Sequence, residues 1–144
     1  MNKKGYLLIK NEEFVYSFVS VGKNGEIIKV IIFQKIEPLV FNLVLSDFDP
    51  YTQLLLDNVV SNNNDIAKIM ATVVQAVVLF LNSNINGTVY LEANSIQKNL
   101  LYNRIFTSYY IQMNENYLIR GQIGEKVEDY QIGKIYNSFY ICLK

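Results

Sequence analysis

The 144-residue chain has no histidine, no tryptophan and one cysteine, Cys142. The absence of histidine excludes Ser-His-Asp and Cys-His catalysis, and it also excludes histidine-ligated zinc sites. A lone cysteine cannot form an internal disulfide, which is typical of proteins from a reducing compartment. The sequence therefore excludes a large part of enzyme chemistry before any motif is considered.

The chain also lacks a long apolar run. After the first lysines, only residues 6–9 are continuously apolar, which is too short for the hydrophobic region of a signal peptide. The longest apolar segment, 66–81, contains Lys68, Thr72 and Gln75 and falls short of the roughly 20 residues that span a bilayer. We therefore predict a cytoplasmic protein without a membrane partner.

Neither sign of charge is in excess. The 13 basic and 13 acidic residues give a formal net charge of zero, and no basic run extends beyond Lys3-Lys4. A nucleic-acid partner is therefore not expected. Hydrophobic residues make up 51% of the chain, which predicts a single folded domain over residues 1–144. The same neutral, apolar composition leaves a protein partner or a homodimer open.

Two β-branched, apolar segments, 14–21 and 27–36, flank a turn that contains an Asn-Gly step. Such a step supplies positive φ angles, so the two segments are predicted to form an antiparallel hairpin. The second strand is apolar on the face of Ile28 and mostly apolar on the face of Lys29, which predicts at least partial cover on both sides.

Further strands are predicted at 40–46 and 54–60. Asp47 and Asp49 lie between them and could, with Asp57, surround a hard cation. Their spacing fits no calcium-binding loop, so we interpret Asp47 and Asp49 as turn-forming residues and predict no metal site.

The hydrophobic period changes to that of a helix over residues 66–81, with Asn63, Asn64 and Asp65 as capping residues. The polar side of this helix carries small residues, so the helix is predicted to be central and mostly buried. A strand is predicted at 88–93. Because a helix connects it to the preceding strand, this crossover predicts a parallel strand pair.

A second helix is predicted to begin at Asn94 as its N-cap and to end at Phe106. Its apolar stripe comprises Ile96, Leu100, Leu101 and Ile105. Strands are then predicted at 108–113, 117–122 and 138–143, with a polar connection from Gly121 to Gly133. The fold class is α+β, with a mixed, mostly antiparallel sheet and two helices.

This order of elements resembles the core of the GNAT acyltransferases, as does Leu101-Tyr102 followed by Ile105-Phe106. The resemblance implies a splayed sheet, acyl transfer from acetyl-coenzyme A and Tyr102 as a general acid. In that family, glycines let backbone amides approach the pyrophosphate of coenzyme A. Residues 60–65 of this chain contain no glycine and include Asp65. A cofactor, acetyl-coenzyme A, is expected only under this alternative.

A second resemblance covers almost the whole chain. The segments SFVSVGKNGEIIKVIIFQKI, FNLVLSDFD, VVSNNNDIAKIMATVVQAVVLFL and NSIQKNLLYNRI are similar, in order and spacing, to those of a family of small bacterial proteins of unknown function. This likeness implies a single-domain bacterial protein and no particular activity.

The most unusual polar cluster is the asparagine run before the first helix. One or two of these residues would suffice for capping. If the sheet is splayed, this run would share a cleft with the polar residues that begin the second helix, so we regard the cleft as the candidate ligand-binding site. The candidate residues are Asn62, Asn63, Asn64, Asn94, Ser95 and Arg104. Alternatively, the Tyr102 ring packs beside the apolar stripe with its hydroxyl in water, and Arg104 is a solvated helix residue.

Six of the 11 tyrosines lie after residue 106, either as a recognition surface or as ordinary strand residues. We favour a non-catalytic binding or protein-interaction module, with a divergent GNAT-like N-acyltransferase as the alternative. An acyltransferase requires an open cleft, reached by Tyr102, between the strand ending at Val60 and the strand ending at Ala93. An interaction module predicts a filled cleft and an exposed apolar or tyrosine-rich patch.

Overall fold

The computed structural model describes residues 5–56 and 63–144. Within these residues, two helices pack on one face of a single sheet. The strands are β1 (Ile9–Glu12), β2 (Val15–Gly22), β3 (Gly25–Glu37), β4 (Val40–Asp49), β5 (Leu54–Leu56), β6 (Thr88–Glu92), β7 (Tyr117–Ile123), β8 (Lys126–Asp129) and β9 (Ser138–Leu143), and the helices are α1 (Ile66–Ser83) and α2 (Ile96–Met113). The predicted α+β class is confirmed.

The strands follow the spatial order β1-β2-β3-β4-β6-β9-β7-β8, with β5 paired to β4. Every described pair is antiparallel except β4 and β6, which the crossover helix α1 connects and which are parallel. The last strand, β9, lies between β6 and β7. The prediction of a mixed, mostly antiparallel sheet is therefore correct.

The parallel pair is short. Strands β4 and β6 pair over Val40–Asn42 and Thr88–Tyr90 and then separate. Strand β5 joins the same edge of β4 from Asp47 onward. Among the described residues, a gap remains beside residues 43–46 of β4. The strand beside β6 is thus β4, not the one predicted at 54–60, of which residues 57–60 lie outside the described residues.

The predicted hairpin forms with Gly22 opposite Gly25, and Gly25 has a φ of +83°. Strand β3 buries the face that carries Lys29 and Phe33, whereas Ile28 on the other face is 41% exposed. The prediction of at least partial cover on both faces is confirmed, because Val30 and Ile32 on the face of Ile28 are half-buried. The face of Lys29 is more deeply buried, since both helices lie on it.

Helix α1 is the central helix of the core, as predicted. Phe80 stacks on Phe33 with ring centroids 4.0 Å apart, and the small side chains of Thr72 and Ala76 are fully buried. By length and composition α1 could also cross a membrane, a property that core helices share. Its burial against the sheet gives its apolar character a structural reason.

Helix α2 differs from the prediction at both ends. Ser95, not Asn94, is the N-cap, and its hydroxyl accepts a hydrogen bond of 3.2 Å from the Lys98 amide. The predicted strand at 108–113 is wrong, because α2 continues to Met113. Met113 extends the buried face at helical spacing, and this burial outweighs the local β preference.

The buried face of α2 is also rotated from the predicted stripe. Leu101 is buried as predicted, but Ile96 and Leu100 are 78% and 59% exposed. Lys98 and Tyr102 occupy the buried face instead, with 3% and 2% exposure. The buried face predicted from apolar periodicity therefore differs from the observed one by part of a helical turn.

The final strands at 117–122 and 138–143 are confirmed as β7 and β9, and the connection between them contains the unpredicted strand β8. Most of the late tyrosines belong to the core rather than to a surface. Tyr136 is fully buried against Gly121, where an added Cβ would lie 2.3 Å from the ring. The buried tyrosines are Tyr109, Tyr117, Tyr130 and Tyr136.

Candidate functional site

A cleft of about 450 Å³ opens on the helix side of the sheet, where β3 and β4 meet the start of α1 and the first turns of α2. Its walls combine apolar side chains, such as Leu45, Ile69 and Leu101, with amide and charged groups. Asn63 and Asn64 of the asparagine run line it, as do residues of the second helix, but Asn94 and Ser95 are not among its described lining residues. It is open, contrary to the filled cleft expected of an interaction module.

The floor of the cleft carries a buried ion pair. Lys29 and Asp47 lie opposite each other on β3 and β4, with Lys29 Nζ 2.6 Å from Asp47 Oδ1. The interpretation of Asp47 as a turn-forming residue is wrong, because β4 continues through it. The interpretation is correct for Asp49, whose carboxylate accepts a 2.9 Å hydrogen bond from the Tyr51 amide, and that bond lowers the pKa of Asp49.

Lys98 reaches the same floor from α2. Its ammonium donates a hydrogen bond to the backbone carbonyl of Leu45, in the stretch of β4 that borders the gap in the sheet. The side chain thus bonds a strand carbonyl beside that gap. The sequence gives one indication that Lys98 is buried: it lies three and four residues before Leu101 and Tyr102, on the same side of the helix.

Asn63 ties the start of α1 to the β2–β3 hairpin. Its Nδ2 donates to Gly25 O at 2.9 Å and to Ser20 Oγ at 3.1 Å, and its Oδ1 accepts from Asn24 N at 2.6 Å. The approach is so close that an added Cβ on Gly22 would lie 1.8 Å from Asn63 O. The side chain that was a candidate ligand contact therefore has a structural role.

Asp65 is the N-cap residue of α1, but its carboxylate does not cap the helix. Instead Oδ2 accepts hydrogen bonds of 2.5 Å from both Tyr6 Oη and Ser20 Oγ. Tyr6 also stacks on Phe18 and receives the Lys68 ammonium over its ring. The predicted capping by the Asp65 side chain is therefore wrong, and Asp65 instead anchors the N-terminal segment.

The remaining predicted residues of the cleft lie at its rim. Asn64 lines it with a left-handed backbone, φ +62°. Arg104 is exposed on α2 and makes no ion pair with residues 5–56 or 63–144. The described lining carries three cationic and two anionic side chains, a formal charge of +1.

Tyr102 does not line this cleft. Its ring is packed in the core, the residue is 2% exposed, and burial raises the pKa of its hydroxyl. Tyr102 and Asn94 line a second cavity, of about 330 Å³. Ser95 serves as the helix cap, and Asn62 lies outside the described residues. The structure therefore brings Asn63, Asn64 and Arg104 to one cleft and separates Asn94 from them.

Reactive groups are scarce around the cleft. Cys142 lies on β9 beside a different hollow, next to Thr88 and Tyr140. Within the described ranges, 5–56 and 63–144, no three metal-ligating side chains cluster, and Asp57 falls outside those ranges. The cleft therefore combines apolar walls with buried charged side chains.

Comparison with known proteins supports the second resemblance drawn from the sequence. No curated protein and no solved structure matches the chain. No acyltransferase family matches it either. A profile described as a family of unknown function, DUF6934, matches residues 2–144. The chain therefore belongs to the DUF6934 family.

Proposed function

We propose that this protein is a non-catalytic binding protein whose cleft takes a small anion with an apolar body. The observation that carries the proposal is the cleft itself: about 450 Å³, with apolar walls and a net positive charge on its described lining residues. Concave sites of this size, mostly apolar with a few polar groups, are typical of small-molecule binding.

The charge of the lining favours an anion. Lys29 is compensated by Asp47, and Asp65 is bonded to neutral hydroxyls. Arg104 is the exposed cation at the rim, and a guanidinium is well suited to carboxylate or phosphate. The exposed Leu100 stands one turn before it on α2 and offers apolar contact.

The state of the ionisable groups favours binding over catalysis. General acid–base catalysis needs a group that can release or take a proton near neutral pH. The lysines and carboxylates that line the floor bond to each other, to the backbone or to hydroxyls, although the buried Asp65 Oδ1 has no hydrogen-bond donor among the described residues. Groups held in this way suit a binding surface.

Isothermal titration with octanoate tests the proposal. We expect saturable binding that Arg104→Gln weakens about tenfold, the effect of one lost charge-assisted hydrogen bond. Arg120→Gln, which removes an exposed arginine on β7, is the matched control and should bind as the wild type does. Absence of binding, or equal effects of both substitutions, would contradict the proposal.

A divergent acyl-coenzyme-A-dependent N-acyltransferase is the second candidate. It is favoured by the parallel strands β4 and β6, which separate after Asn42 and Tyr90. Acetyl-coenzyme A at about 100 times its dissociation constant would raise the free energy of unfolding by about 2.7 kcal/mol. A matching rise in the melting temperature would support this candidate, and an unchanged melting temperature would remove it.

A further inference from the structure

The second cavity opens on the face of the sheet opposite the helices. Its wall includes Gln34, Asn42 and Glu92, which alternate along their strands with core residues and so point away from the helices. The same wall includes Lys98 and Tyr102 of α2, on the helix side. A cavity on one face reaches a helix on the other face because β4 and β6 have separated.

This outer cavity and the cleft meet at a common point. Leu45 and Lys98 line both of them. The Lys98 ammonium, bonded to the Leu45 carbonyl, lies between the two hollows. A lysine side chain is long and flexible, so it can turn aside without movement of the backbone. When Lys98 turns aside, the two hollows become the two ends of one passage.

The two ends have different chemistry. The described lining residues of the cleft carry a net positive charge, and Arg104 lies at its rim. The outer cavity carries the Glu92 carboxylate, which accepts a hydrogen bond from Tyr90 Oη. Asn42 Oδ1 is buried there and has no hydrogen-bond donor among the described residues. An acceptor-rich end of this kind suits an ammonium or another donor.

We propose that the cleft and the outer cavity form one binding site that crosses the sheet and takes an elongated molecule with an anion at one end and an amine at the other. The inner end rests on the proposed function; the crossing and the recognition of the amine at Glu92 and Asn42 are new. Lys98 is a positioning residue, which leaves Leu45 O when the passage is occupied.

The test compares 12-aminododecanoate with dodecanoate by isothermal titration. The extended chain is long enough to cross one sheet layer, which is about 10 Å thick. We expect the amino acid to bind at least about tenfold tighter, because its ammonium gains charge-assisted hydrogen bonds in the outer cavity. The short 4-aminobutanoate should have no such advantage over butanoate.

Two variants locate the effect. Glu92→Gln should remove most of the margin between the two long acids. Glu125→Gln, an exposed glutamate between β7 and β8, should preserve the margin. Equal affinities of the two long acids, or a margin that Glu92→Gln leaves intact, would overturn the crossing. The proposed function would then still stand on dodecanoate binding that depends on Arg104, whereas binding of neither acid would overturn both.

Discussion

The Lys29 ammonium lies 2.6 Å from the Asp47 carboxylate, on directly opposite positions of β3 and β4. Both residues are buried, and together they form the floor of the cleft. A buried pair of this kind is worth little compared with an apolar pair, but each partner is costly to leave alone. Removal of either charge alone therefore destabilises the sheet and also changes the charge of the cleft floor.

Lys29→Met should lower the free energy of unfolding by about 3–5 kcal/mol, because it leaves the Asp47 carboxylate uncompensated. The double variant Lys29→Met/Asp47→Leu should lose less than Lys29→Met alone. Urea unfolding of the wild type, both single variants and the double variant measures this coupling. Additive losses would mean that the two charges do not compensate each other.

Gly22→Ala should destabilise the protein by about 3 kcal/mol, because the new Cβ would meet the Asn63 carbonyl at 1.8 Å. Gly124→Ala is the control: it has positive φ but open space around it, and strain alone should cost about 1 kcal/mol. Thermal unfolding compares the two. Equal losses would show that the contact with Asn63 does not constrain the start of α1.

Ser95→Ala should cost about 1 kcal/mol, the typical value of a helix N-cap, whereas Asn94→Ala should cost almost nothing. The difference in urea midpoint decides which residue begins α2. A larger loss for Asn94→Ala would restore the boundary that the sequence predicted.

The connection between β8 and β9 should respond to acid. Hydrogen bonds from Lys134 and then Tyr136 lower the pKa of Glu128 to about 2 from an ordinary value of 4.5. The stabilisation from Glu128 is therefore complete above pH 4.5 and is lost as the pH falls towards 2. Glu128→Gln should melt below the wild type at neutral pH, and this difference should shrink across that window. A difference independent of pH would refute the pairing.

Strong periodicity made much of the fold predictable from the sequence. The hairpin of β2 and β3, the burial of α1 and the parallel crossover to β6 all follow from short-range patterns. The end of α2 does not, because Met113 is helical only through its burial in the core. At that point the local preference for a strand conflicts with tertiary packing, and packing determines the structure.

The candidate site was predictable in position but not in detail. Asn63, Asn64 and Arg104 line one cleft, whereas Asn94 lines a different cavity. Lys29 and Lys98 were missed as site residues, since charged residues on apolar faces are rarely buried and their partners lie far along the chain. The deep burial of Tyr102 was also not predicted. It depends on the rotation of α2 about its axis, which the sequence does not define.

Mapping of octanoate by amide chemical shifts in NMR tests the central claim most directly. The account predicts saturable shifts concentrated at Asn64, Leu100 and Arg104, around the cleft on the helix side. Exposed Ile111, on the same helix but outside the lining of the cleft, should not shift. Shifts centred on Val19 and Ile28, on the open face of the sheet, or no saturable shifts at all, would contradict a binding site in the cleft.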